Sequence, residues 1–289
     1  MRLDQYVALH FSFSRSQAAR FVEEGRVRCN GHVVTKSSRK VSAGDTVTLE
    51  EARPRPSPSP HPSPSAHPLS ILYEDDTCLV LNKPQDIAVA ELLEELKAKQ
   101  NVPSLFLVHR LDKGTTGCLL IAKSEKSCEA LQKQFQNRSI HKQYLAAVAG
   151  VPKEREATID APVGRNLTDR KKMSLFHTSK SRSASTHYSV VSQSSEAALL
   201  QCIIHTGRTH QIRVHLRAIG HPILGDDTYG SEKSEALSRK YAIALPCLHA
   251  EMLSFQSPVT GKIVQSKAPL PHALKKAMED LKLVYYSIK

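Results

Sequence analysis

The sequence predicts an α+β protein: a large domain on a mixed sheet, preceded by a small α/β module. Three observations carry this. Short apolar runs bounded by turn residues, which read as buried strands, recur between residues 77 and 204 without a regular strand–helix–strand rhythm. Seven prolines in the fifteen residues 54–68 separate them from a compact leading segment. Neither a dinucleotide-binding glycine turn nor a Walker loop is present, so nucleotide cofactors have no support.

Taken in order, Ser14-Arg15-Ser16-Gln17-Ala18-Ala19-Arg20-Phe21-Val22 has a serine start and helical spacing, and predicts a capped amphipathic helix. Gly25–Val34 alternates around Asn30-Gly31, a hairpin turn. Ala43–Leu49 reads as a turn and a strand. Basic residues, among them Arg15, Arg20 and Arg26, cluster along helix and hairpin, as a solvated face or a grip on phosphates. The proline segment favours polyproline II and spans roughly 45 Å at about 3.1 Å per residue. A spacer explains it, and an SH3-type ligand is the other use of such spacing. The chain thus divides into a module at 1–52, a linker at 53–68 and a large domain at 69–289. In that domain Thr77–Leu81, Leu105–Val108, Cys118–Ala122, Tyr144–Val148 and Leu199–Ile204 are predicted strands. Glu91–Gln100, Ser127–Phe135 and Thr209–Ile219 are predicted helices.

With 289 residues, 40% of them hydrophobic, the chain can bury a core. Its 40 Lys plus Arg against 28 Asp plus Glu leave a net charge of +12, which points to a polyanion, nucleic acid or anionic membrane, beside generic solubility. No apolar run is long enough to span a bilayer and no secretory leader is apparent, so we expect a cytoplasmic protein without a membrane partner. Six scattered cysteines without a Cys-x-x-Cys pair read as reduced, buried thiols.

Chemistry concentrates at two places. His109-Arg110-Leu111-Asp112 lies between two predicted strands, followed by Lys113, Gly114 and Gly117. A polar, glycine-loosened connection at a strand end is where a rigid scaffold presents reactive groups, and Asp112 is the candidate. Thr206-Gly207-Arg208-Thr209-His210-Gln211-Ile212-Arg213 follows the strand Cys202–Ile204. Thr209 is the predicted N-cap, Ile212, Leu216 and Ile219 the apolar face, and Arg213 with Arg217 a second face aimed at an anion or at salt-bridge partners. His205, His210, His215 and His221 have the wrong spacing for a helical zinc pair, so no metal is expected. Residues 123–182 hold 13 Lys plus Arg against 6 Asp plus Glu, densest at Arg170-Lys171-Lys172 and Lys180-Ser181-Arg182. They read as a loop against a phosphate backbone or as a solvated loop.

Residues 2–50 resemble the small RNA-binding module first described in ribosomal protein S-four. Arg2-Leu3-Asp4, Ser14-Arg15-Ser16, Gly25-x-Val27, Asn30-Gly31 and Gly44-Asp45 carry the likeness. Residues 70–270 resemble the RluA family of pseudouridine synthases. The motifs are Leu81-Asn82-Lys83-Pro84, His109 to Gly117, Lys142-Gln143-Tyr144-Leu145-Ala146 and Thr206 to Arg213. They continue through Gly220-His221-Pro222-Ile223-Leu224-Gly225-Asp226 and Leu248-His249-Ala250-Glu251. Asp86 stands where the family usually has glycine, Thr116 replaces serine and Cys118 replaces leucine.

The resemblance implies a mainly antiparallel sheet flanked by helices and loops, and it implies roles. Asp112 would attack the target uridine at the sugar C1′ or act through a glycal route; C6 of the base is the older alternative. Arg213 would pair with Asp112, and a guanidinium favours the ionised carboxylate. Tyr144 would stack on the uracil and take the C5 proton, the plain alternative being a core tyrosine. Arg110 would enter the stack that the flipped base leaves. Leu248 would line the uracil pocket. His109, Arg15, Arg20, Arg26, Arg208 and Lys172 would contact RNA. An isomerisation gains and loses no atoms, so no cofactor is expected. The implied substrate is structured RNA, 23S ribosomal RNA first, with transfer RNA or a non-catalytic role in ribosome assembly as alternatives. DNA is not an expected partner, and the enzyme is expected to be a monomer.

Overall fold

The computed structural model describes residues 1–11, 15–23, 25–42, 44–49, 69–100, 104–176 and 178–285. The linker at 53–68 lies outside them. The chain falls into two compact units, Met1–Ala66 and His67–Lys289.

In the first unit, helices α1 (Leu3–His10) and α2 (Arg15–Glu23) accompany a three-stranded antiparallel sheet of β1 (Val27–Cys29), β2 (His32–Val33) and β3 (Val47–Leu49), in the order β2-β1-β3. Its core is Leu3, Val7, Ala18, Val22, Val27 and Cys29, each fully buried. Asn30 and Gly31 have φ of 52° and 80°, the left-handed pair that a tight hairpin requires. Asn30 also ties down β3: its amide donates to Asp45 Oδ1 at 2.8 Å and its oxygen accepts from the Thr46 N–H at 2.8 Å. Helix α1 was not expected, because it buries only Leu3, Asp4 and Val7 and so carries a short apolar stripe. The side chains of Arg15 and Arg20 lie outside the described residues. Arg26 stacks over the Phe21 ring at 4.3 Å.

The second unit is built on one ten-stranded mixed sheet. Its strands are β4 (Ser70–Glu74), β5 (Cys78–Lys83), β6 (Phe106–Leu107), β7 (Thr116–Ala122), β8 (His141–Ala149), β9 (Glu156–Asp160), β13 (Ser185–Gln193), β14 (Ala197–Ile204), β15 (Leu248–Gln256) and β16 (Ile263–Lys267). The main order is β4-β5-β7-β15-β8-β14-β13-β9, with β6 on β7 and β16 on β15. Among the described residues only the β7–β15 pair of this sheet is parallel. Helices α3 (Val89–Gln100), α4 (Glu125–Gln136), α5 (Gln211–Ala218), α6 (Glu232–Lys240) and α7 (His272–Asp280) complete the unit.

The apolar runs that alternate poorly are strands buried on both faces. Along β5, Leu79 and Leu81 join the cluster that also holds Leu92 and Leu96 of α3, whereas Cys78 and Val80 join the one holding Leu131 of α4. β7 divides likewise, Leu119 and Ile121 against Leu120 and Ala122. All six cysteines are buried and unpaired. Among the described residues no helix is long and apolar enough to cross a membrane.

Three expectations need correction. Within the basic stretch, Arg170-Lys171-Lys172 lies in a turn as expected, but Lys180-Ser181-Arg182 lies on a strand of a second antiparallel sheet, β10 (Val163–Asn166), β11 (Met173–Ser174) and β12 (Thr178–Arg182), in the order β11-β10-β12. Charged and polar side chains mask its strand character, because β12 is largely exposed. Helix α5 starts at Gln211, and its N-cap is His210 rather than Thr209, with φ 56° and no side-chain cap bond. Ile219 is the C-cap and is exposed, so the apolar face ends at Leu216. Arg213 is buried and Arg217 exposed.

Candidate active site

Asp112 sits on the connection from β6 to β7, and three devices hold that connection. Lys83, at the end of β5, is fully buried, and its ammonium donates to the carbonyls of Pro84, Lys113 and Thr115, each at 2.9 Å. Burial lowers its pKa to about 8, with the Asp112 charge acting the other way. All three of its protons are spent on backbone around Asp112, which is what makes a buried ammonium tolerable. The Thr115 N–H closes a turn on the Asp112 carbonyl at 3.0 Å. At Gly117 (φ 105°) a Cβ would lie 2.2 Å from the Ala250 carbonyl, so only glycine lets β7 approach β15 here.

His109 belongs to the same anchorage and does not present an open RNA contact. Its Nε2 accepts from the Leu120 N–H at 2.9 Å and its ring stacks on Phe135 at 4.8 Å. Burial lowers its pKa to about 3, so the imidazole is neutral. Asp86 takes the left-handed conformation, φ 60°, that the family's glycine would suit, and pairs with Lys113 at 3.1 Å.

Arg213 enters from α5. Its Nη1 lies 3.5 Å from Asp112 Oδ2, but its tighter bonds go to Asp226: Nε to Oδ2 at 2.7 Å and Nη2 to Oδ1 at 2.8 Å. Asp226 is buried and also accepts from the N–H groups of Thr228 and Tyr229, each at 3.0 Å. The guanidinium lies over the Tyr229 ring at 5.0 Å. Arg213 therefore bridges two carboxylates, one structural and one facing the cleft. On the other side, His210 Nε2 stands 3.9 Å from Asp112 Oδ1.

The turn before α5 is organised by Gln211, which is buried. Its carbonyl oxygen accepts from the Thr206 hydroxyl (2.8 Å) and the Arg208 N–H (3.1 Å); its amide donates to Ser185 O (3.0 Å) and Thr186 Oγ1 (3.1 Å). This fixes Gly207, Arg208 and Thr209 as one wall of a cleft enclosing about 490 Å³ of open space. Arg110, Asp112, Tyr144, His210, Arg213, Ile204 and Leu248 line the rest. Tyr144, on β8, is buried, and burial with the Asp112 charge raises its phenol above the ordinary range, so it stands neutral. Arg110 is exposed at the cleft's edge.

Arg208 also lines a neighbouring groove with Arg165, Arg170, Lys180 and Arg182. Its Nε donates to Ser183 O at 3.1 Å. Lys172 lines neither space; it lies 3.8 Å from Asp169 in the turn before β11. Among the described residues no three His, Cys, Asp or Glu side chains gather as a metal site. Instead, His215 bonds Thr186 and the Ala161 carbonyl, and His221 bonds the Ala149 carbonyl. Asp112, Tyr144, Arg213, Arg110, Arg208 and Leu248, singled out in the sequence for separate roles, meet at one cleft. Sequence reasoning gave no role to Lys83, His210, Gln211, Asp226 or Tyr229, although four of them lie in the quoted motifs.

Residues 77–218 match the RNA pseudouridylate synthase family and residues 1–47 match the S4 domain. The chain is 35% identical over 299 residues to YlyB of Bacillus subtilis (strain 168), an uncharacterized RNA pseudouridine synthase, covering 97% of this chain and 94% of that protein. It is 36% identical over 292 residues to ribosomal large subunit pseudouridine synthase D of Vibrio cholerae, covering 93% and 88%. The solved structure of human RNA pseudouridylate synthase domain containing 4 superposes with a TM-score of 0.63 at 27% identity, covering 75% of this chain and 94% of that one. The chain belongs to the RNA pseudouridine synthase family, and it is an isomerase with an S4 domain at its front.

Proposed function

We propose that this enzyme isomerises specific uridines of 23S ribosomal RNA, with Asp112 as the reacting carboxylate. The observation that carries the reading is Asp112 itself: it faces a cleft, one oxygen toward Arg213 and the other toward His210. Relatives that act on the ribosomal large subunit support the substrate. Asp112 bonds to the ribose as the N-glycosidic bond breaks. The freed uracil turns, C5 joins C1′ as the carboxylate leaves, and the C5 proton passes to water while N1 takes up a proton from water, which restores the ring. Tyr144 and Leu248 sandwich the base. A neutral phenol suits stacking and argues against a phenolate taking the C5 proton.

Extruding a base costs a few kcal/mol, and the exposed Arg110 guanidinium is placed to recover part of the lost stacking. Phosphates would run along the groove that Arg208 shares with the cleft. The S4 domain would add affinity, from a module at 1–52 joined by the linker 53–68 to a catalytic domain at 69–289. A monomeric, cytoplasmic enzyme fits this reading.

Incubation with unmodified 23S ribosomal RNA and with transfer RNA, followed by mapping of pseudouridine, tests it. Product in the ribosomal RNA is expected, and none with Asp112→Asn, which still binds. Product in transfer RNA alone would overturn the substrate, and turnover by Asp112→Asn would overturn the nucleophile.

A further inference from the structure

We propose that His210, fixed by Tyr229, is a positioning residue for Asp112, presenting an Nε2–H to the carboxylate oxygen opposite the one that faces Arg213. This rests on the reading of Asp112 as the reacting group. The argument begins one residue further out. Tyr229 Oη accepts from the Met173 N–H at 2.8 Å and lies 2.7 Å from His210 Nδ1. A phenol has one proton to give; Met173 can only donate to it, so among the described residues Nδ1 is the hydrogen-bond partner of Oη able to take that proton. This assigns Nδ1 as the acceptor in the ring and the ring proton to Nε2, the nitrogen turned to Asp112.

The backbone agrees. His210 holds φ 56°, a left-handed conformation uncommon for a residue with a Cβ, and the conformation makes no cap bond for α5. What it does achieve is to place the ring between Tyr229 and Asp112. The charged groups facing the ring are Asp112 and Arg110 from the β6–β7 connection, Arg213 from α5 and Asp226 from the turn beyond it. Burial outweighs the two carboxylates and lowers the imidazole pKa, so the donor is neutral near pH 7. At 3.9 Å the contact is electrostatic, longer than a hydrogen bond, and closure of the cleft on a base would shorten it. Met173 begins β11, so the same hydrogen bonds tie the basic sheet to the His210 ring.

Three variants test this by single-turnover rates on ribosomal RNA from about pH 5.5 to 9, with RNA binding measured alongside. Asparagine tolerates the left-handed backbone but is too short to reach Asp112; glutamine places an N–H near where Nε2 stood. For His210→Asn we expect a rate about tenfold lower with binding unchanged. His210→Gln should recover most of the rate. Tyr229→Phe keeps a ring beside Arg213 but frees the tautomer, and should fall between. Equal impairment of His210→Asn and His210→Gln would overturn the proposal, as would wild-type rates in His210→Asn. If His210→Asn does not fold, Tyr229→Phe decides with His210→Gln: a lowered rate in Tyr229→Phe at unchanged binding, beside near wild-type rates in His210→Gln, supports the role, and wild-type rates in Tyr229→Phe overturn it. Asp112→Asn in the same series separates the two readings, since turnover there indicts Asp112 rather than His210.

Discussion

Arg213 shows how one side chain serves two masters. It is planar and forked, and its shortest bonds, 2.7 and 2.8 Å, hold it to Asp226, leaving Nη1 at 3.5 Å from Asp112. A lysine carries the same charge but cannot bond Asp226 at two points and still face Asp112. Arg213→Lys should therefore lower turnover at least about tenfold and cost about 1–3 kcal/mol of stability, because buried lone pairs on Asp226 lose a partner. Rates on ribosomal RNA and urea unfolding check it; a variant with wild-type turnover would show that the fork is not needed. Asp112 stood out because its loop's residue types suggest chemistry, whereas Arg213 and Tyr144 were joined to it by the family resemblance; the fold sets all three at one cleft. Asp226 could not be assigned a role, because its partner lies on a different element and the two meet only through the fold. His109 misled for the converse reason: beside Arg110 it reads as an RNA contact, yet its ring turns inward to the Leu120 N–H.

The connection that carries Asp112 has little regular structure, with only the two-residue β6 before it, so Lys83 does much of the holding. Lys83→Met keeps the length and the apolar stem but strands three carbonyls, and each unsatisfied buried group costs about 1–3 kcal/mol before relaxation. We expect a loss of about 3 kcal/mol or more in urea unfolding, and slower turnover even where the variant is fully folded. Unchanged stability would mean that water replaces the ammonium. Strands β5, β7, β8 and β14 were readable because burial on both faces makes them nearly continuous apolar runs. The sheet β10–β12 was not, because strands facing solvent carry the Arg, Lys and Ser that a charge count takes for a loop. The start of α5 was misplaced for a related reason. Threonine is a good capping residue, but Gln211 satisfies the turn from inside, so no cap side chain is required.

The surplus of +12 should act mainly through phosphates. Removing residues 1–53 deletes a compact unit's basic helix and hairpin, so RNA affinity should fall and the slope of log affinity against log salt should flatten. Binding titrations over a range of salt check this, and identical slopes would mean that the front module does not touch this RNA.

The interior makes a separate prediction about alkaline pH. Burial pushes Cys78, Cys118, Cys202 and Cys247 up to about 12. Unfolded thiols ionise near pH 8.5. Between those values the folded chain keeps protons that the unfolded chain has lost, so stability falls as pH rises. Lys83 and Lys142 act in the opposite sense. Burial lowers both to about 8, so from there to the unfolded lysine value the unfolded chain binds more protons and stability rises with pH. Four thiols outweigh two lysines by about two protons, each worth up to about 1.4 kcal/mol per pH unit. Above the lysine range the opposition ends, and Tyr73, pushed up to about 12, adds to the loss. Urea midpoints followed by far-ultraviolet circular dichroism should therefore hold between about pH 8 and 9, drop clearly by about pH 10 and drop faster beyond. Cys202→Ala should flatten that drop, since its thiol is one of the four that hold a proton only in the folded chain. A midpoint that does not move between pH 8 and 10 would show that the thiols ionise in place and that the core admits water.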